Sequence, residues 1–135
     1  MKSLILLFVL FTASVFAQNL FAAPPTESYS CGERLRSALD GEKVEIEITR
    51  DTYKLAAAAR RHYRKELGAY SESPFEISID SAAEYRSPDG TVVGFKISIT
   101  DGGDESMVDY ILDHNRKLVS AYWHNQSPMR YWFCR

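Results

Sequence analysis

His124 stands in the stretch "SAYWHNQ", at the end of an apolar strand pattern and a short way before the last cysteine. An imidazole there can give or take a proton near neutral pH, so it suits one half of an acid–base pair if a second titratable group faces it. His62 lies among arginines and His114 in a turn. Neither has a visible acidic or nucleophilic partner, and both are expected at the surface. Two cysteines near opposite ends of the chain and three scattered histidines lack tetrahedral ligand spacing, so neither a metal site nor a cofactor is expected.

A second constellation is "ARRHYRK". Arg60, Arg61, Arg64 and Lys65 include the i, i+4 pairs Arg60–Arg64 and Arg61–Lys65, which on a helix crowd like charges together. Such a cluster calls for acidic neighbours such as Glu66, for solvent, or for a polyanion. The whole chain has a formal charge of −2, so nucleic acid would have to be held by a local patch. Seventeen aromatic residues (8 Tyr, 7 Phe, 2 Trp) are expected mostly in the core and in cross-strand pairs, with base stacking the minority use. "NQS" at Asn125 to Ser127 is a glycosylation sequon weakened by Pro128.

The elements that must position these residues can be read from punctuation and periodicity. In "ERLRSALDGEKVEIEI" the Asp40-Gly41 pair separates two segments, and Val44, Ile46 and Ile48 alternate with charged residues, which predicts a hairpin with one buried face. In "TRDTYKLAAAARRHYRKELG" Thr49 or Asp51 can cap a helix and Gly68 can stop it. There Leu55, Ala59, Tyr63 and Leu67 share one stripe. "FEISID", "TVVGFKISIT", "MVDYILD", "KLVSAYWHN" and "RYWFC" read as strands joined by short turns, which favours antiparallel neighbours. The expectation is an α+β domain: one helix packed on an antiparallel sheet of four or five strands. "SAAEYRSPDG" and "TDGGDES" read as variable loops suited to partner contacts.

The N-terminus carries Lys2, an apolar run from Leu4 to Phe11 and small residues up to Ala17, the pattern of a secretory signal peptide over residues 1–17. Ala22 and Ala23 are later cleavage alternatives. Residues 18–28 read as a flexible leader and 29–135 as the domain. The apolar run is shorter than the roughly 20 residues that cross a bilayer. The expected product is therefore a secreted, soluble monomer with no membrane partner. In an oxidising compartment, Cys31 and Cys134 are expected to form one disulfide that closes the domain end to end.

On "YSC" at Tyr29 to Cys31, the late Cys134, and the "LDHNRKLVSAYWHN" hairpin, the chain resembles the secreted fungal RNase-like effectors of the powdery-mildew type. Pro74 ahead of a central strand "VVGFKISI" adds to the likeness. The resemblance implies the fold of the small guanyl-specific fungal ribonucleases. Those enzymes need a base for the ribose 2′ proton, an acid for the leaving oxygen and a cation for the phosphoryl charge. Carried across by position, the glutamate base falls at Gly94, the arginine at Asp109, the early histidine at Phe75 and the late histidine at His124. Only His124 matches; Asp109 would repel a phosphorane. A two-residue shift keeps the strand face and offers Lys96, which could contact phosphate.

The resemblance therefore implies a ribonuclease-fold pseudoenzyme: a virulence effector that acts by binding a host protein or host RNA. Such effectors can enter host plant cells, where intracellular immune receptors recognise some of them as avirulence factors. The expected RNA-contacting set is Arg60, Arg61, Arg64, Lys65, Lys96 and His124. Two alternatives stand beside this one. One is an active ribonuclease pairing His124 with Glu76 or Glu84, and the other is a secreted protease-inhibitor-like module.

Overall fold

The computed structural model describes residues 30–67, 77–102 and 106–134. The signal segment 1–17, the leader 18–28, Tyr29, Gly68, Pro74, Phe75 and Glu76 lie outside the described residues, as does the middle of the "TDGGDES" loop. The chain is α+β, with a six-stranded, wholly antiparallel sheet in the order β1-β2-β3-β4-β5-β6. The strands are β1 (Glu42–Glu45), β2 (Ser78–Arg86), β3 (Val92–Thr100), β4 (Val108–Asp113), β5 (Leu118–Trp123) and β6 (Met129–Trp132). The helices among the described residues are α1 (Cys31–Leu39), α2 (Arg50–Leu55) and α3 (Ala57–Glu66).

Helix α1 corrects the hairpin expected around Asp40-Gly41. Ser30 is its N-cap: Glu33 N–H donates to Ser30 Oγ at 3.3 Å, and Glu33 Oε2 accepts from Ser30 N–H at 2.8 Å. This reciprocal box satisfies donors that a helix start leaves open. Ala38 is buried, with Leu35 and Leu39 partly buried beside it on the stripe that faces the sheet. Asp40-Gly41 turns the chain from this helix into β1, with Gly41 at φ 128°; a Cβ there would meet the Arg86 carbonyl oxygen at 2.3 Å. The strand β1 is exposed along its length because it is a sheet edge, so the alternation at Val44 does not mark a buried face.

The expected long helix divides at Ala56, where ψ is 2°. No glycine or proline announces that break. Thr49 rather than Asp51 is the N-cap of α2. The stripe still forms: Ala59, Tyr63 and Leu67 are buried and Leu55 packs beside them, against Ile97, Ile99, Tyr110 and Leu112 of the sheet. Helix α1 covers part of the opposite sheet face through Ala38, Ile111 and Val119. Its close approach is set at Gly94, where a Cβ would stand 2.2 Å from the Ala38 carbonyl oxygen. The Arg34–Asp113 ion pair at 2.5 Å adds a polar tie. The Cys31–Cys134 disulfide joins α1 to the chain just past β6, with the Cα atoms 5.3 Å apart.

"SAAEYRSPDG" is not a loop throughout. Ser81 to Arg86 belong to β2 with Ala82 and Ala83 buried, because β2 continues far enough to pair with both β1 and β3. Only the turn at Ser87 to Thr91 remains, closed by Ser87 N–H to Thr91 O at 2.9 Å.

Candidate binding face

Side chains alternate along a strand, so residues next to those facing α3 face the other way. On that second face stand Lys96 and Ser98 of β3, Asp109 and Ile111 of β4, Ser120 and Tyr122 of β5, and Arg130 and Trp132 of β6. Gly94 shares this face, but the α1 backbone seals its position. Beyond the end of α1 the face is open. A shallow groove of about 210 Å³ runs there, floored by Leu35, Leu39 and Ile111 and rimmed by Tyr85, Lys96, Asp109, Tyr122 and Arg130.

Asp109 is the hub. Ser98 Oγ donates to its Oδ1 at 2.5 Å, and Lys96 Nζ and His124 Nε2 approach its Oδ2 at 3.0 and 2.9 Å. Burial disfavours the charged carboxylate, yet the bonds from Ser98, His124 and Lys96 outweigh it and hold the carboxyl below its ordinary range. A carboxylate can only accept, so His124 carries its proton on Nε2 in this contact. His124 is held further by its own N–H, which donates to Met107 O at 2.9 Å, and by the Tyr122 ring, edge-on at 4.8 Å. Along the same face the Arg130 guanidinium lies 5.0 Å from the Tyr122 ring and 5.5 Å from the Trp132 ring, donating to Ser120 Oγ at 3.2 Å.

Chemically this is an oriented imidazole beside a carboxylate held by three partners, with Lys96 and Arg130 along the groove and the Arg130 guanidinium against two aromatic rings. Asp109 is a poor general base, since its partners hold the carboxyl below its ordinary range and so weaken its basicity. Glu84 cannot serve His124: it stands opposite Phe95, on the α3 side of the sheet, and Arg86 Nε holds it at 2.6 Å. Glu76 and Phe75 lie outside the described residues. No group of three or more His, Cys, Asp or Glu among the described residues could hold a metal ion.

The expected RNA-contacting set does not come together. Lys96 and His124 are on the open face, whereas Arg60, Arg61, Arg64 and Lys65 are on α3, across the sheet. Arg60 is half-buried with its guanidinium 4.9 Å from the Tyr53 ring and its Nε without a bonded partner. Arg61, Arg64 and Lys65 are exposed, and Lys65 reaches Glu66 at 3.7 Å.

His62 is not a surface residue. Its Nδ1 is 3.0 Å from the Tyr110 hydroxyl, and its ring meets those of Tyr110, Tyr131 and Phe133 edge-on. Burial lowers its pKa. The helical position next to Tyr63 was the available signal, since it places His62 on the flank of the buried stripe. His114 is exposed in the turn after β4. Asn125 folds into the bend after His124, its Oδ1 accepting from Ser127 N–H at 2.9 Å.

Sequence reasoning weighed Asp109 only as a misplaced arginine and missed its contact with His124. Strand alternation puts Asp109 on one face of β4, but only the register between β4 and β5 brings it to His124. Comparison of the chain with protein-family models, curated proteins and solved structures finds no match in any of the three.

Proposed function

We propose that this protein is a secreted effector with a ribonuclease-like architecture and no ribonuclease activity, acting by binding a host protein or host RNA on the open sheet face. Entry into host cells and recognition by intracellular immune receptors are the roles that accompany this reading. The observation that carries it is the chemistry beside His124. A carboxylate held by Ser98, Lys96 and His124 occupies the position that the resemblance gives to the cationic clamp, and the position it gives to the glutamate is Gly94, sealed under α1. Loss of a general base costs about 10²–10⁴-fold in rate. Loss of an electrostatic clamp adds about 3–4 kcal/mol to the barrier. The groove nonetheless offers Lys96, Tyr122 and Arg130 for binding.

An active ribonuclease is the second reading, and the Asp109–His124 contact is what favours it, because it orients the imidazole. One experiment separates the two. Disulfide-bonded protein is titrated with a labelled RNA oligonucleotide at low and moderate salt, and the same samples are run on a gel. Binding without cleavage, salt-sensitive and weakened by Lys96→Ala or Arg130→Ala, is the outcome expected for an RNA ligand. No binding directs the search to host proteins. Cleavage that disappears in His124→Ala would replace the binding reading with the catalytic one.

A further inference from the structure

Among the described residues strands β1 and β6 end the sheet, and a terminal strand presents unpaired N–H and C=O groups unless something guards it. The edge strand β1 is guarded by charge: it reads Glu42-Lys43-Val44-Glu45, with Lys43 and Glu45 paired at 2.5 Å. The other edge reads Met129-Arg130-Tyr131-Trp132. Met129 and Trp132 are each 48% exposed, more than any other large apolar side chain among the described residues. Phe133 N–H donates inward to Val119 O at 3.1 Å. By the alternation of an antiparallel ladder, the N–H and C=O of Arg130 and Trp132 then point outward.

We propose that the outer edge of β6 is a docking edge and that its occupant is β6 of a second copy of this chain, paired antiparallel about a twofold axis at Tyr131. The self-complementarity of the strand carries this. Residues directly opposite must lie on the same sheet face, so a twofold axis passes through a residue, and the central positions of the strand are Arg130 and Tyr131. An axis at Arg130 would oppose two guanidiniums and set Trp132 against the partner's Pro128, which has no N–H to give. An axis at Tyr131 sets Arg130 against the partner's Trp132 in both directions, a cation over an indole, and pairs all the outward backbone groups of these residues. On the other face it lays the exposed Met129 against the partner's Phe133. The dimer would continue the open face across the axis and present its groove twice.

Sedimentation velocity and light scattering over a concentration series, with the disulfide intact, test the proposal. The expected result is a mass that rises from one chain to two. Trp132→Lys opposes two cations across the axis and is expected to weaken the dimer about tenfold. Arg130→Glu combined with Trp132→Lys sets opposite charges face to face and is expected to restore it, which a merely destabilised edge would not do. A monomer at every concentration up to about 1 mM would overturn the proposal. So would a dimer indifferent to Trp132→Lys, and failure of the double variant to rescue would overturn the Tyr131 register.

Discussion

At the residue scale Asp109 and His62, on opposite faces of the sheet, both have pKa values below their ordinary range, for different reasons. Asp109 is held charged by its three partners, while His62 is held neutral by burial between α3, β4 and the end of the chain. For His62 the folded pKa lies below the ordinary value of 6.5, so the unfolded chain binds the proton more readily. The stability this contributes is present above that value and is lost as pH falls through the folded pKa. Melting temperature is therefore expected to decline from about pH 6.5 downward, well before carboxylates protonate near pH 4. In His62→Gln, which does not titrate, that upper part of the decline should flatten. An unchanged profile would show that His62 titrates alike in the folded and unfolded states. His124 was legible as a histidine at the end of an apolar strand. Its partner was not, because a contact between β4 and the end of β5 depends on a register that one strand cannot specify.

At the element scale, the decisive feature is how closely α1 lies on β3. Gly94→Ala would drive a methyl group into the Ala38 carbonyl, and backbone cannot yield as a side chain can. Such overpacking is expected to cost about 1–3 kcal/mol, read as a lower denaturant midpoint with an unchanged slope. A change below about 0.5 kcal/mol would mean that α1 rides on the sheet without being seated by that contact. This element was legible in principle: Ser30 and Glu33 spell a capping box, and Leu35, Ala38 and Leu39 spell its stripe. Asp40-Gly41 drew the reading toward a hairpin because the same dipeptide that turns strand to strand also turns helix to strand. The break of the second helical run at Ala56 carries no such local sign. There the packing of a fully buried alanine against the sheet decides.

At the scale of the whole molecule, the disulfide closes nearly the entire described chain, with Cys31 and Cys134 separated by 103 positions. In the chain-entropy model, closing a loop of about 100 residues stabilises the fold by roughly 4–5 kcal/mol. Urea unfolding with and without reductant should show a loss of about that size. A loss under about 1 kcal/mol would assign the seating of α1 to Ala38, Ile111 and the Arg34–Asp113 pair instead. The sheet also separates two cationic surfaces, Lys96 and Arg130 on the open face and the arginines on α3. A polyanion cannot use both at once without wrapping the sheet edge.

By itself the sequence determined the class and most of the strands, because alternation and turn residues are local signals and each strand satisfies its own pattern. It also determined the disulfide, since only two cysteines are present to pair. Which face each side chain joined was decided only in the tertiary structure. The six-strand register brought Ser98, Lys96 and His124 around Asp109, the seating of α1 closed over Gly94, and the thickness of the sheet parted the basic helix from the histidine. These are contacts between segments far apart in the chain, and no periodicity within any one of them encodes its neighbour.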